Sequence, residues 1–168
     1  MKSSLRRPLG LPAAALLLAA AGCSAPDPSA GPAVPTPDAR QAGHCRALHG
    51  ALPDVLDGRK RRTAEPGDDF TAVWGDPAIS LRCGVTRPKI LTPGSEHYNP
   101  NADSADLDGV EWLPERQPDG SVRCTTVHRE AWIEVTLPAR VVGGAGDISA
   151  LTDLADAITK TVPVGILP

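Results

Sequence analysis

The chain is 168 residues long, with 17 basic and 20 acidic side chains and a formal net charge of −3. That length suits one domain, and the acidic balance excludes a general nucleic-acid binder, which needs a basic surface. Aromatic residues are scarce, with three Trp, one Tyr and one Phe, so the tryptophans are expected to anchor the core or its turns.

Residues 1–22 read as a secretory signal. Lys2, Arg6 and Arg7 give it a positive start, and 9–21 is apolar apart from Gly10 and Pro12. This run is too short to cross a bilayer as a helix. Leu18-Ala19-Ala20-Ala21-Gly22-Cys23 then leads small residues directly into a cysteine. The stretch resembles the bacterial lipobox, with Ala20 where leucine is most usual. The resemblance implies that Cys23 is alkylated by a diacylglyceryl group and becomes the mature N-terminus. Two acyl chains, at about 0.8 kcal/mol per buried methylene, hold a protein stably at a membrane. Loss of the leader removes three cations and no anions. Fourteen basic residues then face twenty acidic ones, and the mature net charge is −6.

Residues 24–37 contain Pro26, Pro28, Pro32, Pro35 and Pro37 among Ala, Ser and Gly. Such a segment favours extended polyproline conformations and reads as a stalk. The folded domain is expected over 38–168. Asp38 with Gln41 three residues on has the form of a helix N-cap, and Cys45, Leu48 and Leu52 share one helical face before Pro53 ends the helix. A strand is expected over 70–74. Ile79, Leu81, Cys83 and Val85 alternate with polar residues as a half-buried strand, and Gly75-Asp76-Pro77 between the two supplies turn chemistry. Residues 86–108 form a long polar loop, functional or disordered, and 110–113 a short strand. A second hairpin spans 121–127 and 131–137, with Ile133, Val135 and Leu137 on one face and Trp132, Glu134 and Thr136 on the other. Asp147 caps a last helix with the apolar stripe Ile148, Leu151, Leu154, Ala155 and Ile158, and Pro163 stops it. The fold class is therefore α+β: a small antiparallel sheet of hairpins with N- and C-terminal helices packed on it.

The run from Trp74 through Gly75-Asp76-Pro77-Ala78-Ile79-Ser80-Leu81-Arg82-Cys83-Gly84-Val85 is similar to the signature of a group of actinobacterial lipoproteins and secreted proteins catalogued only as a domain of unknown function. Cys45, Leu52-Pro53, Trp112, Thr125-Thr126 before Arg129, and Val135-Thr136-Leu137-Pro138 also match, so the resemblance covers 40–154. Cys124 departs from it, standing where an aromatic is usual. The resemblance implies envelope localisation and a shared fold, and no activity. With Cys23 taken by lipid, Cys45, Cys83 and Cys124 remain for an oxidising compartment. All three fall on apolar faces, so patterning alone cannot pair them. The resemblance implies a Cys45–Cys83 disulfide, with Cys124 left as a free thiol.

Candidate chemistry is thin. Ser104, Asp106, Asp108, Gly109 and Glu115 have EF-hand-like spacing, but the first position is Ser, Glu111 takes an apolar position, and Pro114 would break the following helix. A solvated acidic loop is the expectation. His44, His49, His97 and His128 are scattered without metal-ligand spacing and read as surface residues. No nucleophile motif is present. The dense basic run Arg59-Lys60-Arg61-Arg62 reads as a solvated loop, the alternative being contact with anionic headgroups. Trp132 stands on the otherwise polar face of its strand and becomes a partner contact if that face is open.

No cofactor or metal is expected. The expected function is a non-catalytic binding or accessory module, a monomer tethered to the outer face of the membrane by Cys23. Its partners would be the membrane itself and an envelope protein or wall component, met near Trp132 or the 86–108 loop. The alternative is an envelope enzyme with an unrecognised site, which a deep pocket with converging polar groups would favour. The anchor has a direct test: Cys23→Ala should move the protein out of the membrane fraction, and a leaderless variant that stays membrane-bound would remove the lipid assignment.

Overall fold

In the computed structural model, which describes residues 31–65 and 67–165, Asp38 opens the first helix, α1 (Ala39–Ala51). Its Oδ1 accepts from the backbone N–H of Arg40 and Gln41, each at 2.9 Å. The Gln41 side chain and backbone, followed by the Arg40 N–H, hold this carboxyl below its usual range. Strands β1 (Val55–Leu56), β2 (Arg59–Arg62), β3 (Thr71–Trp74) and β4 (Ile79–Cys83) follow. After the long loop come β5 (Ala105–Leu107), β6 (Val110–Arg116), β7 (Val122–Thr126) and β8 (Ile133–Leu137). The short α2 (Ala139–Val142), a 3-10 turn at Ser149–Leu151 and α3 (Thr152–Thr161) complete the fold. The leader, Cys23 and residues 24–30 of the stalk lie outside the described residues.

The eight strands form one sheet in the order β1-β2-β3-β4-β8-β7-β6-β5. Two antiparallel meanders, β1–β4 and β5–β8, are joined where β4 pairs with β8, Leu81 opposite Val135 and Arg82 opposite Glu134. Alternation assigns the faces. Ile79, Leu81 and Cys83 of β4, Val122 and Cys124 of β7, and Ile133, Val135 and Leu137 of β8 share one core with Cys45 and Leu48 of α1 and Leu154 and Ile158 of α3. Trp74 and Trp112 are wholly buried there, and the Trp74 indole donates to the Pro53 carbonyl at 2.9 Å. The structure is thus α+β, with an antiparallel sheet and helices from both ends of the domain.

Cys45 and Cys83 are disulfide-bonded, joining α1 to β4 across 38 residues. Cys124 is a free buried thiol. Burial, and secondarily Glu115, pushes it up to about 12, so it stays protonated and weakly nucleophilic at neutral pH.

Three expectations are corrected. The basic run 59–62 is not a loop but strand β2, paired with both β1 and β3. Arg61 turns inward over the Trp74 ring, 6.0 Å from its centroid, while Lys60 faces solvent. The strand at 110–113 extends to Arg116. Pro114 is tolerated in it because β5 ends opposite Trp112, leaving no neighbour on that side to miss the proline N–H. The loop 86–108 is partly regular, with a 3-10 turn at Lys89–Leu91 and β5 at its end. Its EF-hand-like spacing belongs to a tight β5–β6 turn. Asp108 and Gly109 both have positive φ, 52° and 81°, and the Gly109 N–H donates to Asp106 Oδ1 at 3.1 Å, as such hairpins require.

The stalk, too, ends earlier than composition suggests. Residues 31–37 lie against the sheet: Pro35 is buried, and the Ala33 carbonyl accepts from Arg82 Nε at 2.8 Å. Gly84 (φ +84°) lets Pro37 approach so closely that a Cβ there would sit 2.4 Å from Pro37 Cβ.

The disulfide closes a loop of 38 residues, for which chain entropy gives about 4 kcal/mol. A Cys45→Ala/Cys83→Ala variant should lose at least that much unfolding free energy in urea titration. An unchanged midpoint would remove the bond from the stabilising interactions.

Candidate functional site

The face of the sheet away from α1 and α3 carries the polar members of each strand, and the register places them side by side. Arg82 of β4 donates through Nη1 to Glu134 Oε1 of β8 at 2.9 Å. Glu134 Oε2 lies 3.9 Å from Arg123 of β7, and Arg123 reaches Glu115 of β6 at 3.1 Å. Cation and carboxylate thus alternate across four adjacent strands. Glu134 is the most covered, with 14% of its side chain exposed, against 38% for Arg123.

This ladder floors a cleft of about 590 Å³. One wall is the docked segment 34–36; the other is the start of the long loop, with Arg87, Lys89 and His97. The side chains of Arg87 and Lys89 are exposed and join no ion pair among the described residues. Four cations, two of them paired, therefore face two carboxylates, a local positive excess in an acidic protein. Strands supply a rigid floor; the two free cations stand at the rim, where a ligand would meet them first.

A second cavity of about 270 Å³ shares one lining residue, Arg87, with the first. Its walls are mostly apolar: Leu91, Ala102, Leu113, Val127 and Trp132. Trp132 belongs to a cluster with Val85, Leu113 and Val127, capped by Ile90, Leu91 and Ala102 of the long loop. Only 9% of it is exposed. The face that sequence left open for Trp132 is therefore covered, by the loop rather than by a helix, and what remains accessible of the indole looks into this cavity.

Three polar groups stand at the cavity's rim. Glu111 accepts from the Ser104 hydroxyl and from His128 Nδ1, the latter at 2.7 Å. These bonds, Ser104's first, hold its carboxyl below the usual range. His128 has φ 57°, uncommon for a residue with a side chain. The set is not a nucleophile–base–acid relay, because the serine is bonded to the carboxylate and not to the imidazole. Arg129, 6% exposed, donates to the Val162 and Gly109 carbonyls at 3.0 and 2.6 Å. It ties the hairpin to the C-terminal segment, and burial lowers its pKa.

A third cleft, of about 600 Å³, lies beside β2 and β3, lined by His49, Arg61 and Thr71 among others. Arg61 Nη2 meets His49 Nε2 at 2.8 Å. Arginine only donates, so Nε2 accepts and the ring proton sits on Nδ1. That Nδ1 and the Thr71 hydroxyl are buried without a partner among the described residues. His44 is also half-buried rather than on the open surface, its ring nitrogens 3.2 Å from the Thr161 carbonyl and from Glu130. Among the described residues no group of three or more His, Cys, Asp or Glu is placed to hold a metal ion, and no helix is long and apolar enough to cross a membrane.

Of the residues singled out from sequence, Cys45 and Cys83 meet, Trp132 lines the apolar cavity, and Cys23 lies outside the described residues. Arg87, Lys89, Arg123 and Glu134 carried no motif, while Arg82 stood only within the family-like run and Glu115 only in the EF-hand-like spacing. For Arg82, Glu115, Arg123 and Glu134 the shared signal was position as outward members of strand alternation, readable once β4 is paired with β8; Arg87 and Lys89 lie off the strands and had none.

The molecule is a small, disulfide-clamped α+β protein with a cationic cleft and an adjoining apolar cavity on one sheet face. It belongs to the family described as a protein of unknown function (DUF3515), whose family model matches residues 8–166. No curated protein and no solved structure matches the chain.

The unpartnered Thr71 hydroxyl sets one expectation. Thr71→Val keeps the shape and removes the buried polar group, so the urea midpoint should rise, by about 1 kcal/mol of stability. A fall would show that the hydroxyl has a bonding partner.

Proposed function

We propose that this chain is a lipoprotein of the actinobacterial envelope, anchored by Cys23 outside the cytoplasmic membrane. It acts there as a non-catalytic binding module whose cleft over the Arg82–Glu134–Arg123–Glu115 ladder takes an anionic envelope component. The observation that carries this reading is the local excess of positive charge in an acidic protein, with Arg87 and Lys89 left free at the rim. A buried disulfide suits an oxidising compartment. Ser104, the hydroxyl beside the apolar cavity, is bonded to a carboxylate rather than to a base, and Cys124 is buried in the core on the other face.

The test uses glycerol 3-phosphate as a small anionic probe, titrated into the mature, unlipidated protein by calorimetry at low salt. Arg87→Glu with Lys89→Glu should weaken binding by about tenfold or more, since it reverses two charges at close range. Lys60→Glu with Lys160→Glu, which changes the net charge equally but far from the cleft, should leave it unchanged. Equal losses in the two pairs would reduce the effect to general electrostatics and overturn the assignment.

A further inference from the structure

We propose that the cationic cleft and the apolar cavity beside it form one site for a single-chain anionic amphiphile drawn from the membrane surface. The proposal rests on the cleft being a binding site, as above, and names the kind of molecule it takes. Three observations carry it. Arg87 lines both cavities, so its side chain is within reach of a molecule in either one. A bound molecule spanning them presents charge to Arg87 and Lys89 and hydrocarbon to Leu91, Leu113, Val127 and Trp132. The chemistry of the walls changes sharply from one chamber to the next. Neither a simple anion nor a neutral hydrocarbon satisfies both, whereas a phosphate or carboxylate head on an acyl or isoprenoid-like chain does. The long loop supplies part of the second chamber's apolar wall through Leu91 and Ala102, so a chain lodged against it buries hydrocarbon.

The third observation is the short tether to Cys23. Residues 34–36 form a wall of the cleft, and Gly31 is held to the body, its N–H donating to the Glu65 carbonyl at 2.8 Å. Seven residues lie between it and Cys23. That stretch of chain reaches at most about 29 Å. With a lipid on Cys23, the mouth of the site is held within reach of the headgroup layer, where such amphiphiles are concentrated.

The test compares three probes on the full mature protein below the micelle concentration: decyl phosphate, methyl phosphate and decanol. Affinities are read by calorimetry and location by Trp132 fluorescence. Each methylene buried should raise affinity by roughly fourfold, so decyl phosphate should bind about 100-fold or more tighter than methyl phosphate. It should also exceed decanol, and shift the indole emission in a way that Trp132→Phe abolishes. Ala102→Phe, which fills the apolar chamber, should remove the chain-length dependence while leaving methyl phosphate binding intact. Leu91→Trp serves the same purpose should the first variant fail to fold. Arg87→Glu should weaken decyl phosphate by about tenfold or more. Equal affinity for the two phosphates, or for decyl phosphate and decanol, would overturn the amphiphile. So would chain-length dependence unaltered by both filling variants. If methyl phosphate still binds in an Arg87-dependent manner in that event, the cleft reading stands alone. If it does not, both fall.

Discussion

Both long helices lie on one side of the sheet, and this forces a division of labour on every central strand. Side chains that point toward α1 and α3 must be apolar, because the core there has no water to solvate a charge. Those between them point to the other face, which among the described residues no α-helix covers. In β4, β8 and β7 that second set is Ser80 and Arg82, Glu134 and Thr136, and Arg123 and Thr125. The antiparallel register then decides which of these meet. The charge ladder is the result, and its half-burial follows from having only a docked proline-rich segment and one loop as cover. At 14–38% side-chain exposure such pairs are screened by solvent and add little to stability individually. They hold four long side chains in fixed positions across four strands, and so give the cleft a rigid floor.

The long loop completes this face. It contributes few regular hydrogen bonds, but Ile90, Leu91 and Ala102 bury the side of Trp132 that its strand would otherwise leave in water. One end of the sheet face thereby becomes apolar and the rest stays charged. The adjacency of two chemically opposite chambers is a by-product of laying one loop across part of a polar surface.

Much of the core was legible in the sequence. Asp38 and Gln41 marked the helix start, and Ile79–Leu81–Cys83 and Ile133–Val135–Leu137 showed the period of two that a one-sided core imposes. The stripe from Ile148 to Ile158 located the last helix, although its first turn winds as a 3-10 segment. What escaped were elements whose burial is not apolar. Strand β2 is Arg-Lys-Arg-Arg, with no hydrophobic rhythm; its inward residue is covered because a guanidinium stacks on Trp74 and bonds His49. The short α2 and β5 are too brief to show a period. The candidate site was illegible for a related reason. Arg82 and Glu134 lie 52 residues apart, and nothing local indicates that the second partner of β4 is β8 rather than the next strand, β5. Trp132 was read correctly as lying on the polar face, but which part of the chain would cover it depended on an irregular loop.

The seating of Pro37 on Gly84 has a mechanical consequence. Tension applied at the N-terminal end meets the Gly31–Glu65 bond first and then the Arg82–Ala33 contact, which loads the central strand β4 rather than an edge strand. If that contact slips, α1 begins to unwind, but only as far as Cys45, where the covalent link to β4 stops it. The helix and sheet are then loaded as one piece, and a pull from that end does not unravel the body.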